Sequence, residues 1–133
     1  MGQQAFDPAR HISIVRVKLQ DESGRLLYVQ MAPDTGASIT VIPWQAAERL
    51  GRDPAKSRRR VRFMTGSGME IAPIVTVPAM ELMGVRVTDV PVLCHDLPQR
   101  SLVDGLLGLS FLKHCRLAID FYKGLLELER VSC

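Results

Sequence analysis

Apolar and polar residues alternate along most of this chain, which is the period of β-strands rather than of helices. Ile12, Ile14, Val17 and Leu19 make a first apolar run whose phase slips at Val15, a pattern that a bulge or burial of both faces would produce. Polar Asp21-Glu22-Ser23-Gly24 has the length and the closing Gly of a hairpin loop. Beyond it Leu27, Val29 and Met31 alternate with Leu26, Tyr28 and Gln30, so residues 12–32 predict an antiparallel hairpin. Residues 39–43 predict another short strand. Residues 44–50, rich in the helix formers Ala46, Ala47, Glu48 and Leu50, predict one or two helical turns closed by Gly51.

The same alternation continues downstream. Val61, Phe63 and Thr65 alternate with Arg60, Arg62 and Met64, Gly66-Ser67-Gly68 provides a flexible tip, and Met69 and Ile71 resume the pattern, predicting a second hairpin. Residues 74–77 and 85–93 flank a turn at Gly84, with Pro73, Pro78 and Pro91 expected at strand ends or sheet edges because proline has no N–H for a ladder. Leu117, Ile119 and Phe121, a turn at Tyr122-Lys123-Gly124, then Leu126 and Leu128 predict a closing hairpin. Residues 53–60, carrying Lys56, Arg58, Arg59 and Arg60, read as a solvated loop. No internal repeat is present.

Composition narrows the class. At 133 residues, 47% hydrophobic and 23% charged, the chain suits one globular domain spanning residues 1–133, with a core of its own. No apolar run approaches the ~18 residues of a membrane-crossing helix, and residues 1–10 lack the basic start and apolar stretch of a signal peptide. The expectation is a cytoplasmic protein without a membrane partner. A formal charge of +3, drawn mostly from residues 52–62, is too small to predict nucleic-acid binding. Cys94, Cys115 and Cys133 are odd in number and lack metal-ligand spacing, so neither a disulfide framework nor a metal site is expected. Cys94-His95-Asp96 offers a nucleophile, a base and an orienter in name only, since neighbours in an extended segment point to opposite faces. His11 and His114 are single histidines, read as surface or core residues.

One acid stands out. Asp34 follows the buried run of residues 26–32 and precedes a sharp turn, and a carboxylate in that position needs donors or a second carboxyl. Gly36 allows close approach and offers its N–H, and Thr35 adds a small hydroxyl. The stretch Asp34-Thr35-Gly36-Ala37-Ser38, followed by apolar Ile39, Val41 and Ile42, resembles the active-site loop of aspartic proteases, in particular the single-domain retropepsin-like kind. A second stretch about seventy residues on, Leu102-Val103-Asp104-Gly105-Leu106-Leu107-Gly108-Leu109, resembles the segment that in this family threads behind the catalytic loop into a short helix. The resemblance extends from about residue 12 to residue 129.

The resemblance implies an all-β fold: a retropepsin-like half-barrel with one short helix in the C-terminal third and a flap hairpin. Asp34 is then the catalytic residue, and Thr35, Gly36, Ala37 and Ser38 form its loop. Thr65, Gly66, Ser67 and Gly68 belong to the flap over substrate. Asp104 braces the loop, Leu106 and Leu107 pack behind Asp34, and Gly108 permits the close crossing. Hydrolysis by carboxyls requires one to take a proton from water and another to give one to the carbonyl oxygen. The chain has a single Asp-Thr-Gly, so the second Asp34 is expected from another copy, in a C2 homodimer acting on an extended polypeptide without metal or cofactor. Thr35 is expected to lock the two loops across the axis. Pro33, where the family usually has a bulky aliphatic, raises the alternative of a weak or inactive module that dimerises or binds peptide, because proline removes a donor from the strand pairing just before the loop. Asp34→Asn separates the two readings.

Overall fold

Val15, Val17 and Leu19 leave one side of their strand while Arg16, Lys18 and Gln20 leave the other, and burying the apolar side against Val29 and Met31 drives the first hairpin. The structure, a computed structural model, describes residues 2–9 and 13–131, so His11, Ile12 and Cys133 lie outside the described residues. Strand β1 is Gly2–Ala5, β2 is Val15–Gln20 and β3 is Leu26–Pro33. β2 and β3 pair antiparallel, from Val15 opposite Met31 to Gln20 opposite Leu26. Asp21 shapes their turn by accepting from the N–H groups of Ser23 and Arg25. The slip anticipated at Val15 is simply the start of the strand. Ile14 precedes it, and Val15, Val17 and Leu19 stay buried in phase, so no bulge is required.

β4 is Thr40–Ile42 and helix α1 is Trp44–Arg49, after which Gly51, at φ +77°, turns the chain away. Residues 53–60 are mostly exposed, as a solvated loop should be, yet they carry local order. Asp53 caps a 3-10 turn at Pro54–Lys56, and the Ser57 hydroxyl donates to the Ile74 carbonyl at 2.6 Å. β5 is Arg60–Thr65, β6 is the fifteen-residue strand Gly68–Leu82, and β7 is Val85–Cys94.

The prolines depart from expectation, since Pro73 and Pro78 lie inside β6 and Pro91 inside β7. β6 and β7 pair on both sides of Pro78 (Val77 with Val90, Ala79 with Thr88), and the ladder lapses only at Pro78 itself, where Asp89 takes φ +52°. A local break absorbs the missing N–H without ending the strand. Met83 and Gly84, both at positive φ, make the tight turn between β6 and β7.

β8 is Gly105–Leu107, α2 is Leu109–Leu112, β9 is Cys115–Asp120 and β10 is Leu125–Arg130. The large sheet runs β2-β3-β8-β4-β7-β6-β5, and an additional β2–β6 pairing closes it into a ring from which β5 projects. A separate three-stranded sheet, β1-β10-β9, holds the ends of the described chain. β1 was not anticipated, because Gln3 and Gln4 break any apolar alternation; it forms by pairing with β10.

Phe111, Leu19, Met31, Ile42, Met80, Leu107, Leu126 and Leu128 are fully buried and belong to one core cluster that joins the two sheets. A second, smaller apolar cluster is built on Val41, Ala72, Ile74 and Leu93, with Ile39, Val61, Phe63, Leu97 and Leu106 packed on it. That cluster underlies the cleft described next.

Candidate active site

β8 inserts between β3 and β4, running parallel to β3 (Met31 opposite Gly105, Pro33 opposite Leu107) and touching β4 at Val41 opposite Leu106. The turn from residue 34 to residue 39 is therefore anchored at both ends by one threading segment. The Asp34 N–H donates to the Leu107 carbonyl at 2.9 Å, and the Leu109 N–H donates to the Ala37 carbonyl at 2.8 Å. So close a crossing leaves no room for side chains. A Cβ on Gly108 would fall 2.6 Å from the Ala37 oxygen, and one on Gly105 would collide with the Val41 carbonyl.

Two buried hydroxyls complete the anchor. Thr40 Oγ1 accepts from the Gly108 N–H at 3.0 Å, and Ser110 Oγ accepts from the Thr40 N–H at 2.9 Å. Both side chains are buried, so each hydroxyl satisfies a backbone donor that water cannot reach.

The Asp34 side chain is half-buried, and its Oδ1 accepts from the Gly36 N–H at 2.9 Å. A Cβ on Gly36 would stand 3.2 Å from that oxygen, so the glycine admits the carboxylate as well as shaping the turn. Thr35, Gly36 and Ser38 are exposed and Ala37 half-buried; among the described residues the Thr35 hydroxyl has no partner. Pro33 ends β3 without breaking it, because the ladder to β8 runs through the N–H of Asp34 rather than the one proline lacks. The expected weakness in strand pairing is absent.

Two supporting residues stand differently from expectation. Leu107 is wholly buried behind the loop, but Leu106 is half-buried and forms part of the cleft wall. Asp104 is exposed, and its tie to the neighbouring strand is its backbone N–H, which donates to the Gln30 carbonyl at 2.9 Å; among the described residues no carboxylate contact accompanies it.

Asp34 faces a cleft of about 890 Å³ bounded by its own loop, the β5–β6 hairpin and residues 93–98. Thr65, Gly66 and Ser67 line it, whereas Gly68, at φ +116°, closes the hairpin tip without lining the cleft. The Thr65 hydroxyl ties that tip, donating to the Gly68 carbonyl and accepting from the Ser67 N–H, each at 3.1 Å. Phe63, Glu70, His95 and Leu97 also line the cleft and were not anticipated there. The register offered a signal for one of them: counting back from the Gly66-Ser67 turn places Glu70 opposite Phe63.

Cys94 diverges from His95 and Asp96, which follow the end of β7 and both border the cleft. Cys94 is buried and burial pushes its thiol up to about 12, the opposite of an activated nucleophile. His95 turns to the cleft, and Asp96 Oδ1 accepts from the Trp44 N–H at 3.0 Å. Among the described residues no group of three or more His, Cys, Asp or Glu side chains is set to hold a metal ion, and no helix is long and apolar enough to cross a membrane.

Residues 15–111 match a family model described as aspartyl protease. Among solved structures, a retropepsin-like aspartic protease from Rickettsia conorii superposes with a TM-score of 0.69 at 22% identity, covering 97% of this chain and 99% of that one. The simian foamy virus (mac) protease matches with a TM-score of 0.49 at 17% identity, over 76% of this chain and 92% of that one. No curated protein matches the chain. The first superposition identifies the architecture as retropepsin-like over almost the whole chain.

Proposed function

Because this chain belongs to the aspartyl protease family, we propose that it is an aspartic endopeptidase that works as a homodimer, with the Asp34 of each copy supplying half of a catalytic dyad. The observation that carries this reading is the position of Asp34. It sits on a loop clamped at both ends by β8 and α2, its carboxylate held by the Gly36 N–H and open to a peptide-sized cleft.

Support for the second copy lies on the same loop. Thr35 and Gly36 are exposed there, the Thr35 hydroxyl has no partner among the described residues, and neighbouring Leu109 is 40% exposed. A two-fold axis beside this surface would bring the two carboxyls together, and two carboxyls a few ångströms apart share one proton.

The chemistry then balances without further groups. The ionised carboxylate takes a proton from water as its oxygen attacks the scissile carbonyl, while the protonated partner donates to the carbonyl oxygen. Collapse of the tetrahedral species breaks the C–N bond: the amine takes the proton that the first carboxyl drew from water, and a hydroxyl of the species returns one to the second carboxylate, leaving an acid, an amine and the dyad with its one shared proton. The peptide lies extended between the Asp34 loop and the β5–β6 hairpin, the hairpin serving as a flap that opens and closes over it.

The test is cleavage of an unfolded protein by the wild-type chain and by Asp34→Asn, with sedimentation of both. The expected result is a dimer whose turnover falls about a thousandfold or more in the variant. Equal cleavage by both proteins, or full activity from a strict monomer, would overturn the proposal.

A further inference from the structure

The hairpin wall of the cleft carries one acid among apolar neighbours. Glu70 pairs with Phe63, and cross-strand partners share a face, so Glu70 emerges on the side that bears Val61 and Phe63. Arg62 touches the cleft too, but it pairs with Ile71 and leaves the hairpin on the opposite, outer face. The charge that the hairpin turns inward is therefore negative.

Glu70 Oε2 lies 3.6 Å from His95 Nδ1, within ion-pair reach and so held beside the ring, but too far for a hydrogen bond, and among the described residues its carboxylate accepts none. His95 is fixed from behind: its backbone N–H donates to the Ile42 carbonyl at 3.0 Å, and its ring stands edge-on to Phe63 at 4.9 Å between centroids. A carboxylate with open acceptor positions thus stands over an apolar floor. Once a peptide displaces water from that floor, the carboxylate costs free energy unless the peptide itself brings a donor.

We propose that Glu70, positioned by His95, determines the specificity of this cleft, selecting peptides with an arginine or lysine side chain at the site against the hairpin. The aliphatic stem of such a side chain packs along Phe63 and Leu97 while its cationic head bonds the Glu70 carboxylate. Glutamate or aspartate in the same place meets a like charge. The inference rests on the reading of the cleft as a peptide site, and not on turnover.

Binding tests it without requiring catalysis. Fluorescent octapeptides identical but for one Arg, citrulline or Glu, moved along the sequence, are titrated by polarisation into Asp34→Asn and into the same protein carrying Glu70→Gln. The expected result is an Arg peptide bound about tenfold or more tighter than its citrulline counterpart in one register, with that ratio lost in Glu70→Gln. A Glu70→Lys version turns the preference toward the Glu peptide. Equal binding of Arg and citrulline peptides, a ratio unchanged by Glu70→Gln, or no binding of any peptide overturns the inference. A Glu70-dependent ratio beside a wild-type chain that cleaves none of these peptides upholds it and refutes the endopeptidase reading instead.

Discussion

Replacing Thr40 by Val isolates the lock that holds the Asp34 loop against its threading segment. The two side chains have nearly the same shape, so the packing of this fully buried position is preserved and the hydroxyl alone is lost. That hydroxyl accepts from the Gly108 N–H at 3.0 Å, and Gly108 is itself buried, so the variant leaves a backbone donor with neither protein nor water to bond. An orphaned buried donor costs ~1–3 kcal/mol. For a domain of this size that lowers Tm by about 4–12 °C.

Thr40→Ser provides the contrast, keeping the acceptor and losing one methyl, for about 1 kcal/mol. Overall stability could therefore blur the two variants, but amide hydrogen exchange at Gly108 separates them. Exchange there should accelerate strongly in Thr40→Val and stay slow in Thr40→Ser, since only the former frees the N–H. The measurement is denaturant unfolding with unchanged m-value, paired with exchange resolved at that amide. A Thr40→Val protein within ~0.5 kcal/mol of wild type, with Gly108 still protected, would refute the reasoning that this hydroxyl secures the crossing.

Two further outcomes follow from the same structure. Gly108→Ala tests pure collision, because φ is −102°, which any residue adopts, while the added Cβ meets the Ala37 oxygen at 2.6 Å; we expect a loss of about 3 kcal/mol by denaturant unfolding and displaced amide resonances for residues 34–39. His114 is held below its usual value of 6.5, first by burial and then by the charges of Lys113 and Arg130. The unfolded chain thus binds the proton more readily than the folded one. Its contribution is present above the unfolded value near 6.5 and is lost as pH falls through the lower folded value. Unfolding midpoints measured across this window should drop for wild type and flatten in His114→Gln; identical pH profiles would contradict the assignment.

The parts of the fold that were legible are those set by neighbours in sequence. Alternation at Val15, Val17 and Leu19, a polar loop ending in Gly24, and alternation again at Val29 and Met31 specify a hairpin whatever the rest of the chain does. The same holds for the Gly66-Ser67 turn and for Leu126 and Leu128 near the end. Asp34-Thr35-Gly36 was legible as chemistry because a carboxylate after a buried strand calls for donors close in sequence, and the Gly36 N–H is one. β1 was hidden, since its glutamines carry no pattern and β10, more than a hundred residues away, organises it. The prolines misled for a related reason. A missing N–H matters only where the ladder needs one, and the ladder is known only when the partner strand is.

What the residues determined alone was a set of hairpins, a reactive loop and the glycines that loop demands. What the tertiary structure decided was which distant groups meet. It put Ser110 and Thr40 together in one lock, sent Cys94 inward while its neighbour His95 faced the cleft, and made Leu106 a wall rather than core. Periodicity and turn chemistry act over a few bonds and can be counted along a chain. The crossing of β8 between β3 and β4 joins segments about seventy residues apart, and only the closed ring of strands selects that pairing from the many a buried tripeptide could make.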